Sequence, residues 1–197
     1  MKKALYVFVA LLLLLAWRDW NAREISHPSG VLVTAAPRQQ TVNAEETFQM
    51  AGYRLKKRAV FDLKSRVLSK ESYWLGIESD LSPVDLALGW RSMSDQAVLD
   101  RIEITQGGRW YFTHYKFPQP ITDREIIHNS SNMHIIPANS WVHGKLKKLR
   151  RGSVVHLKGF LVDVNNDAGF NWKTSLRRDD TGNGSCEIFY VEEIYIL

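Results

Sequence analysis

The chain has one cysteine, Cys186, in 197 residues, so no intramolecular disulfide can brace it, even in an oxidising compartment. Stability therefore has to come from packing. Six histidines (His27, His114, His128, His134, His143, His156) occur with neither HExxH nor CxxC spacing, so no metal centre is expected. No motif implies a cofactor. There is no internal repeat and no low-complexity tract apart from one leucine run. The excess of one sign of charge over the other is also small, 26 Lys and Arg against 21 Asp and Glu. A net +5 and an isoelectric point near 9.3 suit loose association with anionic lipid headgroups, cell-wall polymers or nucleic acid, and choose among none of them.

What stands out is the beginning. Lys2 and Lys3 precede an apolar run from Ala4 to Ala16, and Trp17-Arg18-Asp19 closes it. This is the build of a bacterial export signal. Trp20-Asn21-Ala22 puts a tryptophan where a cleavage site needs a small residue, so the reading is an uncleaved signal anchor over residues 1–20. The run is short of the ~20 apolar residues that cross a bilayer comfortably. Snorkelling Lys2, Lys3 and Arg18, with Tyr6, Trp17 and Trp20 at the interfaces, offsets part of the shortfall. The expected topology is a single pass through the inner (cytoplasmic) membrane. Residues 4–17 would lie in the lipid bilayer and the C-terminal domain outside the cytoplasm. Residues 21–52, punctuated by Pro28, Gly30 and Pro37, read as a tether, and 53–197 as one globular domain.

That domain reads as mainly β with some helix (α+β). Phe61, Leu63 and Val67 alternate with Asp62, Lys64 and Arg66, as a half-buried strand requires. Ser94 reads as the N-cap of a short helix ending near Arg101. Ile102–Thr105 and Arg109–Phe117 read as a hairpin around Gly107-Gly108. The clearest helix follows Pro137, capped by Asn139 or Ser140, with Val142, Leu146 and Leu149 on one face. Its basic end (Lys145, Lys147, Lys148, Arg150, Arg151) suits the helix dipole. In Ser153–Val164 the apolar phase changes at Gly159, from Val155 and Leu157 to Phe160, Val162 and Val164. A bulged, coiled strand at a barrel corner explains such a change. The expected architecture is a small curved antiparallel barrel, OB-like, with one or two capping helices.

Candidate chemistry is sparse. Asp163–Asp167 has oxygen ligands at alternate positions, but Ala168 and Thr174 stand where a calcium loop needs glycine and glutamate, so a plain hairpin turn is the better reading. Cys186 with His134 would make a thiol–imidazole pair, yet a cysteine heading an apolar strand reads first as core. Arg177, Arg178 and Asp179 form the densest charge cluster, where arginine forks could grip a carboxylate or phosphate. Asn132 and His134 form a second candidate group, expected at the mouth of the barrel. Trp110, Tyr111, Phe112 and Tyr115 alternate with Arg109, His114 and Lys116, a face on which bases could stack.

Several phrases resemble an uncharacterised family of membrane-anchored bacterial envelope proteins. They are Pro83–Trp90, Met93-Ser94-Asp95, Asn132–Ala138, Gly159–Val162 and Trp172–Glu187. The resemblance implies an anchor-plus-domain layout and brings no activity. The function expected is an extracytoplasmic binding or scaffold domain recognising another envelope protein or an anionic envelope ligand. The alternatives are a hydrolase or transferase using His134 with Asp95 or Asp179 and a serine or Cys186, and an OB-like nucleic-acid binder. Export makes nucleic acid a poor partner.

Overall fold

The computed structural model describes residues 6–9, 11–14, 23–42, 46–177 and 186–197. Residues 6–9 and 11–14 are helical, and their apolar side chains are exposed. Among the described residues no helix is long and apolar enough to cross a membrane.

The rest is mainly β. In chain order the strands are β1 (Arg38–Thr41), β2 (Thr47–Met50), β3 (Tyr53–Ser72), β4 (Val84–Gly89), β5 (Ile102–Gly107) and β6 (Trp110–Tyr115). They continue with β7 (Ser130–Pro137), β8 (Val154–Asn165), β9 (Asn171–Trp172) and β10 (Glu187–Ile196). The 20-residue β3 pairs with β8 over Arg54–Arg66 and with β4 over Arg66–Ser72. β4 pairs with β7, β7 with β10, and β10 with β8, so five strands close into a ring. Every pairing in the ring is antiparallel except β7–β10, which is parallel. Register shifts at Lys57/Ala59 and Val67/Ser69 in β3, and at Val191/Glu193 in β10, supply the bends that a closed ring needs.

Alternation along the strands fills the ring. Phe61 and Leu63 of β3, Leu86 and Leu88 of β4, Met133 and Ile135 of β7, Leu157 and Leu161 of β8, and Phe189 and Val191 of β10 share one buried cluster. Val142, Leu146 and Leu149, from the helix Ser140–Lys148 and its end, join that cluster. Asn139 caps this helix by accepting a hydrogen bond from the Val142 N–H, as its sequence suggests.

The change of phase at Gly159 has a different origin from the one expected. Val162 and Val164 do not continue the interior. They belong to a second buried cluster outside the ring, with Leu55, Leu81, Ile136 and Ile188, and Phe160 packs against it. β8 is covered on both faces beyond Gly159, so both phases are apolar there. The glycine answers a close approach: a Cβ on it would meet the Tyr190 carbonyl oxygen of β10 at 2.0 Å.

Two further differences concern the flanks. The stretch read as a tether is held by the domain. The Ile25 N–H donates to Arg151 O at 2.9 Å, Val33 N–H to Ser94 Oγ at 3.0 Å, and β1 and β2 both pair with β3. The helix Asp123–Asn129 has no counterpart in the sequence reading. Its capping box, Thr122 with Glu125, is nonetheless written plainly in the chain. The hairpin β5–β6 forms as expected. It packs Ile102 and Ile104 with Leu68, Met93 and Ile126 in a third cluster.

Candidate functional site

The outer face of β4 and β7 carries a group of buried polar and charged side chains. Because Leu86 and Met133 point into the ring, their neighbours Asp85, Asn132 and His134 point out. The register places Asp85 directly opposite His134. Both are buried, at 1% and 4% exposure. A carboxylate in so apolar a strand needs partners, and it has two. Arg109 Nη1 donates to Asp85 Oδ1 at 2.8 Å, and His134 Nδ1 lies 3.0 Å from Asp85 Oδ2. The second contact is close but out of line for a hydrogen bond, which leaves both atoms without a well-aligned partner. Catalytic pairs commonly show this looseness before a ligand binds.

Arg109 arrives from the tip of the β5–β6 hairpin. Gly107 pairs with Trp110, so Gly108 and Arg109 form a two-residue turn in which both have positive φ, 59° and 72°. Such turns match the twist of the strands, and glycine or asparagine normally holds both places. Here an arginine takes the strained conformation, and surrounding contacts keep it there. Its N–H donates to Tyr73 Oη at 3.1 Å, and its carbonyl accepts from Asn132 Nδ2 at 3.0 Å. Its guanidinium lies over the Tyr73 ring at 4.0 Å and 5.7 Å from the Trp172 ring.

Cys186 completes the group. It stands one residue before β10, where the parallel register sets Ile188 beside His134, so Cys186 and Ile188 share the outer face with the imidazole. Asn132 Nδ2 lies 3.9 Å from Cys186 Sγ. Arg109, Trp110, His134, Trp172, Lys173 and Cys186 line one cleft of about 610 Å³, with Glu78 and Asn171 at its edge. Burial opposes a charge on His134. Close contact with the Asp85 carboxylate and with Cys186 outweighs it and raises the imidazole to about 9. His134 is therefore an imidazolium at neutral pH, held between a carboxylate and a thiol.

Of the residues picked out from sequence, His134, Asn132 and Cys186 come together here, on the outer face rather than at the mouth of the ring. Arg177 is exposed and does not line the cleft. Arg178 and Asp179 lie outside the described residues. Asp95 is engaged elsewhere: its Oδ1 accepts from the N–H groups of Ala97 and Gly30, both at 2.9 Å. The acid beside His134 is Asp85, which sequence reasoning missed. The signal was available, since Asp85 is the one charge in the apolar strand Val84–Gly89. Of the aromatics on β6, Trp110 lines the cleft, while Tyr111 and Tyr115 pack against the third cluster. Among the described residues no three His, Cys, Asp or Glu side chains gather as metal ligands. Compared with known proteins, the chain matches no family model, no curated protein and no solved structure.

Proposed function

We propose that this protein is a membrane-anchored envelope domain that carries out thiol-dependent acyl transfer, with Cys186 as nucleophile, His134 as its acid–base partner and Asp85 as the group that orients and charges the imidazole. The observation that carries this is the buried Asp85–His134 pair opening onto the chain's single cysteine in one cleft. A structural ion pair has no need of a thiol beside it. The nucleophile in such chemistry is the thiolate, and a neighbouring imidazolium favours it. The thiolate would attack an acyl carbon, forming the C–S bond. His134 would then pass its proton to the leaving group as the bond between that group and the acyl carbon breaks. In the second half, neutral His134 would take a proton from water or an acceptor as the thioester is cleaved.

The barrel supports the same placement. A five-stranded ring with its one parallel contact between the third and last strands, and a helix between the third and fourth, supports reading it as an OB-type barrel. OB barrels use the outer face of their second and third strands, flanked by two loops, to bind ligands. The cleft sits on the corresponding strands, β4 and β7, with Glu78 and Trp172 contributed by the flanking loops.

A second reading, ligand binding without chemistry, is favoured by Arg109 and Lys173, two cations facing the cleft that could hold an anionic envelope ligand. p-Nitrophenyl acetate separates the two. Acyl transfer predicts a burst of nitrophenol and an acetyl thioester on Cys186, lost in Cys186→Ala and slowed at least about tenfold in His134→Ala. Equal turnover by parent and Cys186→Ala would leave only the binding reading.

A further inference from the structure

We propose that the basic end of the helix Ser140–Lys148, with the turn after it, is a docking surface for anionic phospholipid headgroups; this rests on the reading of residues 4–17 as a membrane anchor. The chain reaches this surface almost at once. Glu24 is seven residues beyond Trp17, a span of at most about 25 Å at full extension. At Glu24 the chain is already fixed. Its carboxylate pairs with Arg151 Nε at 3.3 Å and with the buried Arg66 at 3.8 Å. The next residues are held as firmly. The Ile25 N–H donates to Arg151 O at 2.9 Å, and His27 Nε2 lies 2.8 Å from Gly152 O. Gly152 has no room for a side chain, because a Cβ would meet Ile25 O at 2.0 Å. A segment docked this closely holds one face of the domain near the bilayer.

That face is cationic. Lys147 and Lys148 are exposed, and Lys145 and Arg150 are partly so. Strand β3 also serves this region: Lys70 Nζ donates to the carbonyl oxygens of Lys147 and Leu149, closing the helix end. The helix carbonyls are thus supplied by Lys70, which leaves the ammonium groups of Lys147 and Lys148 turned to solvent. Among the nearby acids, Glu24 is already committed to Arg66 and Arg151. Each such cation near an anionic leaflet contributes about 1 kcal/mol, within a screening length of roughly 10 Å.

The full chain reconstituted into vesicles tests this. Vesicles of phosphatidylcholine alone would be compared with vesicles that also contain phosphatidylglycerol, reading amine acetylation by mass spectrometry. At low salt, acetylation of Lys147 and Lys148 is expected to fall about fivefold with phosphatidylglycerol. Lys173, exposed in the cleft beside Arg109 and Trp110 at the β5–β6 turn, serves as the control and should not change. Added salt should restore the reaction. A chain that floats with both vesicle types but acetylates equally in both would overturn the docking surface and keep the anchor. Flotation with anionic vesicles alone, lost in salt, would support the surface and reject the anchor. Flotation with neither rejects both.

Discussion

Gly159→Val is expected to lower the unfolding free energy by about 3 kcal/mol, and the melting temperature by on the order of 10 °C, if the chain folds at all. The added Cβ would have to share space with backbone of β10, with Tyr190 O at 2.0 Å and Glu192 N at 3.1 Å. Backbone atoms in a paired strand have no rotamer to escape into, so the strand itself must shift. The contact falls beside the Val191/Glu193 bulge, where β10 crosses from one part of the ring to another. Gly159→Ala provides a milder version of the same test. A urea midpoint equal to the parent's in both variants would show that β8 and β10 do not approach this closely.

Asp85→Ala is expected to cost more, about 3–5 kcal/mol, because it leaves buried His134 and partly buried Arg109 without their shared carboxylate. Arg109 would keep the Ser82 carbonyl and hydroxyl and its contacts with the Tyr73 and Trp172 rings. His134 would keep the burial that opposes its charge and lose the main interaction that favours it. The imidazole is raised from 6.5 to about 9 in the folded state, so its contribution to stability is fully present below about 6.5. It fades as pH rises through 9, by on the order of 3 kcal/mol in all. In Asp85→Ala that fall between pH 6 and 9.5 should largely vanish. Urea unfolding at the two pH values measures it directly. A parent protein equally stable at both would mean that His134 is not charged in the fold.

Much of this arrangement was legible in the chain. The alternation in Ala59–Leu68, the glycine pair before Arg109 and the Asn139 cap each gave an element its type and place. Asn132 and His134 were picked out together, and the structure sets them on one face beside Cys186. Asp85 escaped notice because its partners are far away in sequence. His134 is 49 residues on and Arg109 24, and only the pairing of β4 with β7 and the fold-over of the hairpin bring them together. The docked stretches 23–42 and 46–52 escaped for a related reason. Their contacts are mostly backbone hydrogen bonds to β3, Arg151 and Ser94, which leave no trace in hydropathy. Gly159 was noticed for a real feature and given the wrong cause, since both phases of β8 are apolar wherever both faces are covered.

Alkylation of Cys186 by iodoacetamide across pH 5 to 9 measures the thiol–imidazolium pairing with the fewest intervening steps. With one cysteine in the chain, the reaction has a single site. A free thiol titrates near 8.5 and reacts slowly at pH 6. If the His134 imidazolium acts on the thiol, alkylation at pH 6 should be about tenfold or more faster in the parent than in His134→Ala, with little difference at pH 9. Asp85→Asn, which keeps the shape but removes the charge, should fall between the two. If parent and His134→Ala show the same pH profile, the imidazole does not act on the thiol, and the cleft is not a catalytic site of this kind.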